Sequence, residues 1–260
     1  NKLIDLLKKN KSDFFTGVPD SILKELSYSL QNQKLKNHIL ATNEGSAVSL
    51  GIGKYLSTQK VPVVYMQNSG LSNALNPLIS IAHEKVYAIP LILIIGWRGS
   101  PRIKDEPQHN VKGKITEQLL KLLNIKYTIL RTKWDLKKFD KQIKFAKKNK
   151  RIVDCLIEQG IIEKTKKIIK KKDFYKLNKE FFLKTLLENL PKKSKIISST
   201  GYNSRELMYL RKKFKIKSTN DFYMVGGMGH TSSVALGYSL SSKNKTICID
   251  GDGSFLMHLG

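Results

Sequence analysis

The sequence has few of the features that mark secreted, disulfide-bonded or membrane-spanning proteins. It contains two cysteines, Cys155 and Cys248, and each lies in an apolar, strand-like run where a thiol usually acts as a small buried hydrophobic group. This usage indicates no disulfide framework. No apolar run reaches the roughly 18 residues that a membrane span needs, and the first residues lack the pattern of a secretory leader. We therefore expect a protein of the reducing cytoplasm, without a membrane partner.

Arginine and acidic residues are scarce relative to lysine. The chain has 47 basic residues, of which six are arginines, against 21 acidic residues, and its formal net charge is +26. Nucleic-acid-binding surfaces typically cluster their basic residues and interleave aromatic ones. The lysines here are spread over helix faces and one connector, which favours solvated surfaces and predicts no nucleic-acid partner. A basic, non-catalytic binding protein remains the alternative from a different functional class.

The chain of 260 residues shows the alternation of an α/β protein twice. Short apolar runs alternate with segments of helical period, first up to residue 158 and again after residue 174, which predicts mostly parallel sheets covered by helices. We predict two doubly wound parallel-sheet domains, residues 1–160 and 174–260, joined by a basic linker at 161–173. The second domain is expected to be incomplete, because its alternation stops after three clear strands.

Polar and glycine-rich segments follow the predicted strands. In open parallel sheets, ligands bind outside the carboxyl ends of the strands, and glycine there allows backbone amides to approach a ligand. The segments are "TGVPDS", "ATNEGSA", "QNSGLSN", "GWRGSPRIKDEPQH", "STGYNS", "VGGMGHTSS" and "DGDGS". Two of them lead into predicted helices: "SILKELSYSL", capped by Asp20 and Ser21, and "TEQLLKLL", which ends the long loop after "LILIIGW".

The last of these segments, "GDGS" at 251–254, has the character of a metal and phosphate site. Asp252 lies between two glycines after a strand, so its carboxylate can project toward a hard cation such as Mg²⁺. Ser254 and the amides of the next helix can then face phosphate. One carboxylate leaves an octahedral shell incomplete, and the tetrapeptide alone is weak support for such a site.

Together these segments resemble the thiamine diphosphate-dependent 2-oxo acid decarboxylases, and among them the phosphonopyruvate decarboxylase family. The resemblance covers essentially the whole chain. It is carried by "GVPDS" (17–21), "TNEGSAV" (42–48), "QNSGLSNALNPL" (67–78), "GWRGSPRIKDEPQH" (96–109), "TGYNSREL" (200–207), "GGMGH" (226–230) and "GDGS" (251–254). It implies a pyrimidine-binding domain followed by a diphosphate-binding domain, and thiamine diphosphate with Mg²⁺ as cofactors.

The resemblance also implies how the cofactor is held. Glu44 matches the activating glutamate that hydrogen-bonds the aminopyrimidine ring, although an acidic residue opening a helix also has a structural explanation. Met228 matches the apolar wedge beneath the folded cofactor, Gly226 offers a carbonyl to the pyrimidine amino group, and Asp252 matches a metal ligand. The implied cofactor-binding residues are Thr200, Gly201, Gly226, Met228, Gly253 and Ser254.

Further residues match the positions that act on the substrate. Asp20 and His109 match proton donors, with a helix N-cap and a surface loop histidine as their structural alternatives. Arg98, Arg102 and Lys104 are expected to bind a 2-oxo acid bearing a phosphonate, since guanidinium groups bind such anions in bidentate fashion. Weaker candidates are Asn68, Ser69 and Asn73, and His230 is either a diphosphate contact or a helix cap.

The family's metal motif ends with an asparagine about two dozen residues after its Gly-Asp-Gly, which would lie beyond Gly260. We therefore expect this chain to be a fragment that binds cofactor poorly by itself. By resemblance, the cofactor lies between the first domain of one subunit and the second domain of another, which implies a homo-oligomer.

Two alternatives keep the cofactor: the first changes only the substrate, and the second changes the reaction. Sulfopyruvate decarboxylases use a sulfonate substrate and often divide the two domains between separate chains, so the continuous connector favours phosphonopyruvate. Acetolactate synthase-like enzymes join two carbon skeletons, and they normally carry a middle domain for which this chain has no room.

Overall fold

A computed structural model describes residues 2–31, 33–165, 177–191, 193–217 and 221–259. The chain divides into two compact units, residues 1–169 and 170–260. Within the described ranges, no helix has the length and apolar character required to cross a lipid bilayer.

The first unit is a six-stranded, wholly parallel sheet with its connecting helices. Its elements are α1 (Lys2–Lys9), β1 (Phe15–Gly17), α2 (Lys24–Leu30), β2 (His38–Leu40), α3 (Glu44–Thr58), β3 (Val63–Gln67), α4 (Leu71–Pro77), β4 (Ile92–Gly96), α5 (Pro107–Leu122), β5 (Lys126–Leu130), α6 (Lys133–Asn149) and β6 (Val153–Ile157). A 3₁₀ turn, Asn68–Gly70, precedes α4, and a π-helical turn, Leu78–Ala82, follows it.

The strand order of this sheet is β2-β1-β3-β4-β6-β5. The central strands β3, β4 and β6 are apolar and buried, as expected of strands covered on both faces. The chain leaves β1 toward β2 on one side and then returns to β3 on the other, so the order reverses at this pair. Such a switch point opens a crevice at the carboxyl ends of the strands, where ligands bind in folds of this type.

The second unit contains a parallel three-stranded sheet in the order β8-β7-β9. Its elements are α7 (Lys179–Glu188), β7 (Lys195–Ser198), α8 (Tyr202–Lys213), β8 (Phe222–Tyr223), α9 (Thr231–Ser241), β9 (Thr246–Ile249) and α10 (Asp252–Met257). Its core is small and consists of Leu183, Leu187, Ile196, Leu207 and Leu210. The predicted α/β class with parallel sheets is therefore confirmed in both units.

Three local predictions are wrong. The helix after the long loop begins at Pro107 rather than at residue 116, because a proline at the first helical position suits a helix start. The helix after Asp20 begins at Lys24, three residues later than predicted. Cys248 lies on β9 as expected, but it is exposed, since the small sheet does not cover it; Cys155 is buried.

The predicted linker at 161–173 lies outside the described residues from residue 166 onward. The predicted domain limits therefore remain predictions.

Candidate active site

Asp20 lies at the switch point between β1 and β3 and is buried. Its Oδ2 accepts hydrogen bonds from the amides of Ile22 (2.7 Å) and Leu23 (3.1 Å), which cap the turn before α2. Its Oδ1 accepts a hydrogen bond from Nε2 of Gln67, the last residue of β3. Gly96 makes room for this carboxylate, since a Cβ there would lie 2.6 Å from Oδ2. Asp20 therefore caps the turn that precedes α2 rather than the helix itself, which begins later than expected and has no side-chain cap. Its side chain also bonds the crevice residue Gln67.

Glu44 is the first residue of α3, and Asn43 caps this helix by accepting the Ser46 amide at 2.8 Å. The Glu44 side chain is 4% exposed, which is unusual for a carboxylate. Oε2 accepts a hydrogen bond from Asn73 Nδ2 at 2.9 Å, and Oε1 has no donor among the described residues. The carboxyl group occupies the space beside Gly70 that a side chain would fill. One oxygen of a buried carboxylate is thus left for a further donor.

The side-chain amide of Asn68 is bonded within the protein, which gives this residue a structural role. Its Nδ2 donates to the Arg98 carbonyl and to Thr116 Oγ1, both at 2.9 Å, and its Oδ1 accepts the Arg98 amide at 3.0 Å. This ties the end of β3 to the loop after β4 and to α5. The side-chain contacts of Asn68 are satisfied within the protein, so its weak candidacy as a substrate ligand gains no support.

Arg98 forms a bidentate ion pair with Asp105 inside the loop that follows β4. Arg98 Nε donates to Oδ2 at 2.7 Å and Nη2 to Oδ1, while Asp105 also accepts the amides of Gly99 and Glu106 at 2.8 Å. The Arg98 contact holds the pKa of Asp105 well below its usual range. Arg98 Nη1 reaches Ser21 Oγ at 3.3 Å. The guanidinium that we expected to meet a phosphonate is therefore already engaged with a carboxylate.

His109 lies in the first turn of α5, not in a loop, and is half-buried. Burial lowers the pKa of His109, and the nearby charge of Arg98 lowers it further, so the ring is neutral at pH 7. Its Nδ1 is buried without a hydrogen-bond partner in the described part of the chain. A neutral imidazole with an unsatisfied nitrogen is suited to proton transfer.

A pair of glycines holds the His109 turn against the loop. A Cβ on Gly99 would overlap the His109 carbonyl, and a Cβ on Gly113 would overlap the Gly99 carbonyl. Trp97 Nε1 donates to the Gly113 carbonyl at 3.0 Å and ties the same two segments together. Backbone approach this close is possible only without side chains.

Two other features of this edge were not predicted from the sequence. Lys112, on α5, donates from Nζ to the Ser69 carbonyl at 2.9 Å. Glu158, after β6, accepts a hydrogen bond from Ser100 Oγ at 2.7 Å and is paired with Arg131 at 3.2 Å. Burial alone would raise the pKa of Glu158, but the contacts with Ser100 and Arg131 lower it overall. Glu158 thus anchors the loop after β4; in contrast, Arg102 and Lys104 in that loop are exposed.

In the second unit the strand ends bring three glycine-containing segments together. Thr200 Oγ1 donates to the Val225 carbonyl at 2.9 Å, which joins the ends of β7 and β8. The Gly229 amide donates to Ser254 Oγ at 3.0 Å, which joins the segment after β8 to the start of α10. Gly201, with φ of +85°, precedes α8 in a conformation that favours glycine. Ser254 is buried and links two loops.

Asp252 and Met228 are exposed at this edge. Asp252 is the first residue of α10, and Met228 is 42% exposed, with its Cε 3.4 Å from the position of a Cβ on Gly253. The His230 and His258 rings stack with centroids 4.7 Å apart. Asp250 Oδ1 accepts the Gly251 amide at 2.9 Å, whereas Oδ2 is buried without a partner among the described residues.

The described residues contain no group of three or more His, Cys, Asp or Glu side chains arranged to hold a metal ion. A divalent cation at Asp252 would therefore need oxygens from the backbone or from a bound diphosphate. The oxygens of this turn fit a divalent cation, since the exposed Asp252 carboxylate and the unpartnered Asp250 Oδ2 lie on it together. Glu44, with one open carboxylate oxygen, fits an N–H donor of a pyrimidine, such as its amino group or a protonated ring nitrogen.

Comparison with known proteins matches one family domain within each of the two units. The family description "Thiamine pyrophosphate enzyme, N-terminal TPP binding domain" matches residues 1–120, and its C-terminal TPP binding domain matches residues 199–260. The first match contains Asp20, Glu44 and His109, and the second contains Thr200, Met228 and Asp252.

Three curated relatives are similar to the chain. A phosphonopyruvate decarboxylase of Streptomyces viridochromogenes is 31% identical over 265 residues, which cover 94% of this chain and 64% of the relative. A sulfopyruvate decarboxylase of Methanosarcina acetivorans is 27% identical over 279 residues, covering 99% of this chain and 69% of the relative. A sulfopyruvate decarboxylase subunit alpha of Methanocaldococcus jannaschii is 34% identical over 124 residues, covering 47% of this chain and 70% of the subunit.

These relatives bear on the substrate argument from the connector and on how much of a relative's length this chain covers. The Methanosarcina relative matches both halves of this chain within one polypeptide, so the continuous connector does not discriminate between phosphonate and sulfonate substrates. The chain spans 64% of the length of the Streptomyces relative. With both binding domains matched in order and relatives of this identity, the chain belongs to the thiamine pyrophosphate enzyme family.

Proposed function

We propose that the protein catalyses the decarboxylation of 3-phosphonopyruvate to phosphonoacetaldehyde and CO₂, a carbon–carbon lyase reaction that serves phosphonate biosynthesis. The observation that carries this proposal is the buried Glu44 carboxylate, which has one oxygen bonded to Asn73 and the other without a donor among the described residues. The Streptomyces phosphonopyruvate decarboxylase, similar over 94% of this chain, supports the choice of substrate.

The first unit would hold the pyrimidine end of the cofactor. A carboxylate that is removed from water prefers a strong donor, and Glu44 Oε1 would accept one from the aminopyrimidine ring. When bound, thiamine diphosphate supplies a thiazolium ring that accepts the electron pair released as the bond to the carboxylate breaks. Asn73 orients Glu44, and Gly70 leaves the space in which its carboxyl group lies.

The second unit would hold the diphosphate end. Asp252 would hold Mg²⁺, which would supply positive charge to the diphosphate. Met228 presents an exposed apolar side chain beside Gly253, as expected of a wedge under a folded cofactor. Backbone groups around Thr200, Gly201, Gly226 and Ser254 would complete the cradle.

The reaction replaces CO₂ by a proton on the former 2-oxo carbon. Asp20, at the switch point, and His109, whose unpartnered Nδ1 can take up a proton from solvent and pass it on, are the candidates that hold and deliver this proton. Arg98, Arg102 and Lys104 remain candidates for the substrate's anionic groups, although Arg98 would first have to share its guanidinium with Asp105.

Sulfopyruvate is the second candidate substrate. The Methanosarcina sulfopyruvate decarboxylase matches 99% of this chain, and a sulfonate carries its negative charge in a similar tetrahedral group. The cofactor chemistry and the residues that act in it would be the same.

The test is the steady-state rate of aldehyde formation by the full-length protein with thiamine diphosphate and Mg²⁺. Phosphonopyruvate, sulfopyruvate and pyruvate are compared, and Glu44→Gln is compared with Glu188→Gln, which alters an exposed carboxylate on α7. We expect phosphonopyruvate to react fastest, with activity lost in Glu44→Gln and retained in Glu188→Gln. Preference for sulfopyruvate would move the substrate to the sulfonate, and full activity of Glu44→Gln would refute the cofactor role of Glu44.

We further propose a homo-oligomer with the cofactor at the subunit interface, in a reducing cytoplasm. Sedimentation of the protein with and without thiamine diphosphate tests the assembly, and a monomer at working concentration with full activity would contradict it.

A further inference from the structure

Lys112 is a cation of the first unit whose charge is not matched by a partner. Its Nζ donates to the Ser69 carbonyl at 2.9 Å, and no carboxylate among the described residues lies within 4 Å of it. An ammonium group carries three donors, so this contact uses one of them. The side chain is half-buried, and it lies on α5 one turn after His109.

The Ser69 carbonyl holds this charge at the turn that contacts both candidate carboxylates, Asp20 and Glu44. Ser69 Oγ donates to Gln67 Oε1 at 2.5 Å, and Gln67 in turn donates to Asp20. The next residue, Gly70, leaves the space in which the Glu44 carboxyl group lies. Lys112 is therefore bonded to the same short turn, 68–70, that connects the Asp20 and Glu44 sites.

The other basic residues of this edge are less suited to receive an anion. Arg98 is held in a bidentate pair with Asp105, and releasing it would leave the carboxylate unpaired inside the loop. Arg102 and Lys104 are exposed, and charges in that setting bind weakly because water and salt screen them. Lys112 would give up at most one hydrogen bond to a neutral carbonyl.

We propose that Lys112 binds the phosphonate group of the substrate and so distinguishes substrates with a second anionic group from simple 2-oxo acids. This assignment rests on the proposed function, because it takes the substrate to be a 2-oxo acid with an anion one carbon beyond the carbonyl. A Lys ammonium is a common point-charge ligand of phosphate-like groups. In this arrangement Arg98 stabilises the loop through its ion pair with Asp105, and Lys112 binds the second anionic group of the substrate.

The test compares Lys112→Met and Lys112→Arg with Lys121→Met, which removes an exposed lysine from the last turn of the same helix. A hydrogen bond between charged groups contributes about 1.5–3 kcal/mol, so kcat/KM for phosphonopyruvate should fall about 10- to 100-fold in Lys112→Met, mainly through KM. Turnover of pyruvate, which lacks the second anion, should stay within about twofold. Lys112→Arg should restore part of the loss, and Lys121→Met should match the wild type.

Equal losses on both substrates, or none, would overturn the assignment, since the first indicates a structural role and the second no role. Calorimetric binding of phosphonoacetate provides a readout that needs no turnover. If the wild type decarboxylates no 2-oxo acid, the proposed function fails, and the anion site is then judged by this binding alone. Binding to the wild type and to Lys121→Met, but not to Lys112→Met, supports the site, and equal binding to all three overturns it.

Discussion

The carboxyl group of Glu44 occupies the space that a side chain at Gly70 would fill. Glu44 opens α3, and Gly70 ends the 3₁₀ turn after β3, so two segments far apart in sequence share one small volume. Asn73 then fixes one carboxylate oxygen at 2.9 Å. The position of the candidate activating carboxylate thus depends on the absence of a side chain elsewhere.

Gly70→Ala is expected to lower activity while Gly53→Ala does not. The new methyl group would overlap the Glu44 carboxyl group, and displacing a catalytic group by about 1 Å can cost about 10²-fold in rate. Gly53, on α3, has nothing within 4 Å of a Cβ, so alanine there should be neutral or stabilising by about 0.5–1 kcal/mol. Cofactor-dependent turnover and thermal unfolding are measured for both variants. Wild-type turnover in Gly70→Ala would show that Glu44 does not need this position.

Gly113→Ala is expected to displace the first turns of α5 from the loop after β4. The added methyl group would overlap the Gly99 carbonyl, and the Trp97 bond to the Gly113 carbonyl would be strained. We expect a loss of stability of about 1–3 kcal/mol, together with reduced turnover, because His109 lies on the displaced segment. Gly237→Ala, on α9 with open space around it, is the matched control. Its unfolding temperature should not fall; if Gly113→Ala also keeps both stability and turnover, the close approach is not required.

Asp154 is expected to destabilise the protein at neutral pH. It is the second residue of β6 and fully buried, and neither carboxylate oxygen has a partner in the described residues. Burial raises the pKa of Asp154 well above its usual value, so the folded protein holds a proton that the unfolded chain releases above about pH 4. Stability should therefore fall as the pH rises from there, and Asp154→Asn should be the more stable protein at pH 7.

Asp140 provides a control of opposite sign. Hydrogen bonds from Lys144 and Asn10 lower the pKa of Asp140, so its contribution to stability is present at neutral pH and is lost as the pH falls below about 4. Asp140→Asn should therefore lower the unfolding temperature at pH 7. Unfolding temperatures of both variants and the wild type are compared at pH 3 and pH 7.5, on either side of the pH at which the unfolded carboxyl groups titrate. An Asp154→Asn variant that is less stable than the wild type at pH 7.5 would mean that the carboxylate is charged and bound.

Much of the fold could be predicted from the sequence because strand and helix periods are local. The runs "VPVVYMQ" and "LILIIGW" contain β3 and β4, and the segment from Glu44 is α3 as expected. Element boundaries were less certain: the proline at 107 starts α5 nine residues before the predicted helix, which moves His109 from loop to helix. Proline at a helix start was the signal that could have located this boundary.

The candidate site was predicted in part. Asp20, Glu44 and His109 lie after three different strands, and the strand-end rule brings such residues to one edge of the sheet. The pairing of Arg98 with Asp105 and the contact of Lys112 with Ser69 could not be read from spacing, since each depends on how a loop or helix packs on the turn after β3. Glu158 was missed for the same reason: its partners Ser100 and Arg131 are distant in sequence.

The sequence by itself determined the two α/β units, the placement of polar residues after the strands and the membership of a cofactor-binding family, because these follow from local period and from short motifs. Only the tertiary structure decided which charges are free and which are used, and which glycines are required for contact. The partner of a charge and the neighbour of a glycine belong to other segments of the chain, which the packing of the sheet and helices brings close. No local sequence pattern encodes the distance between such segments.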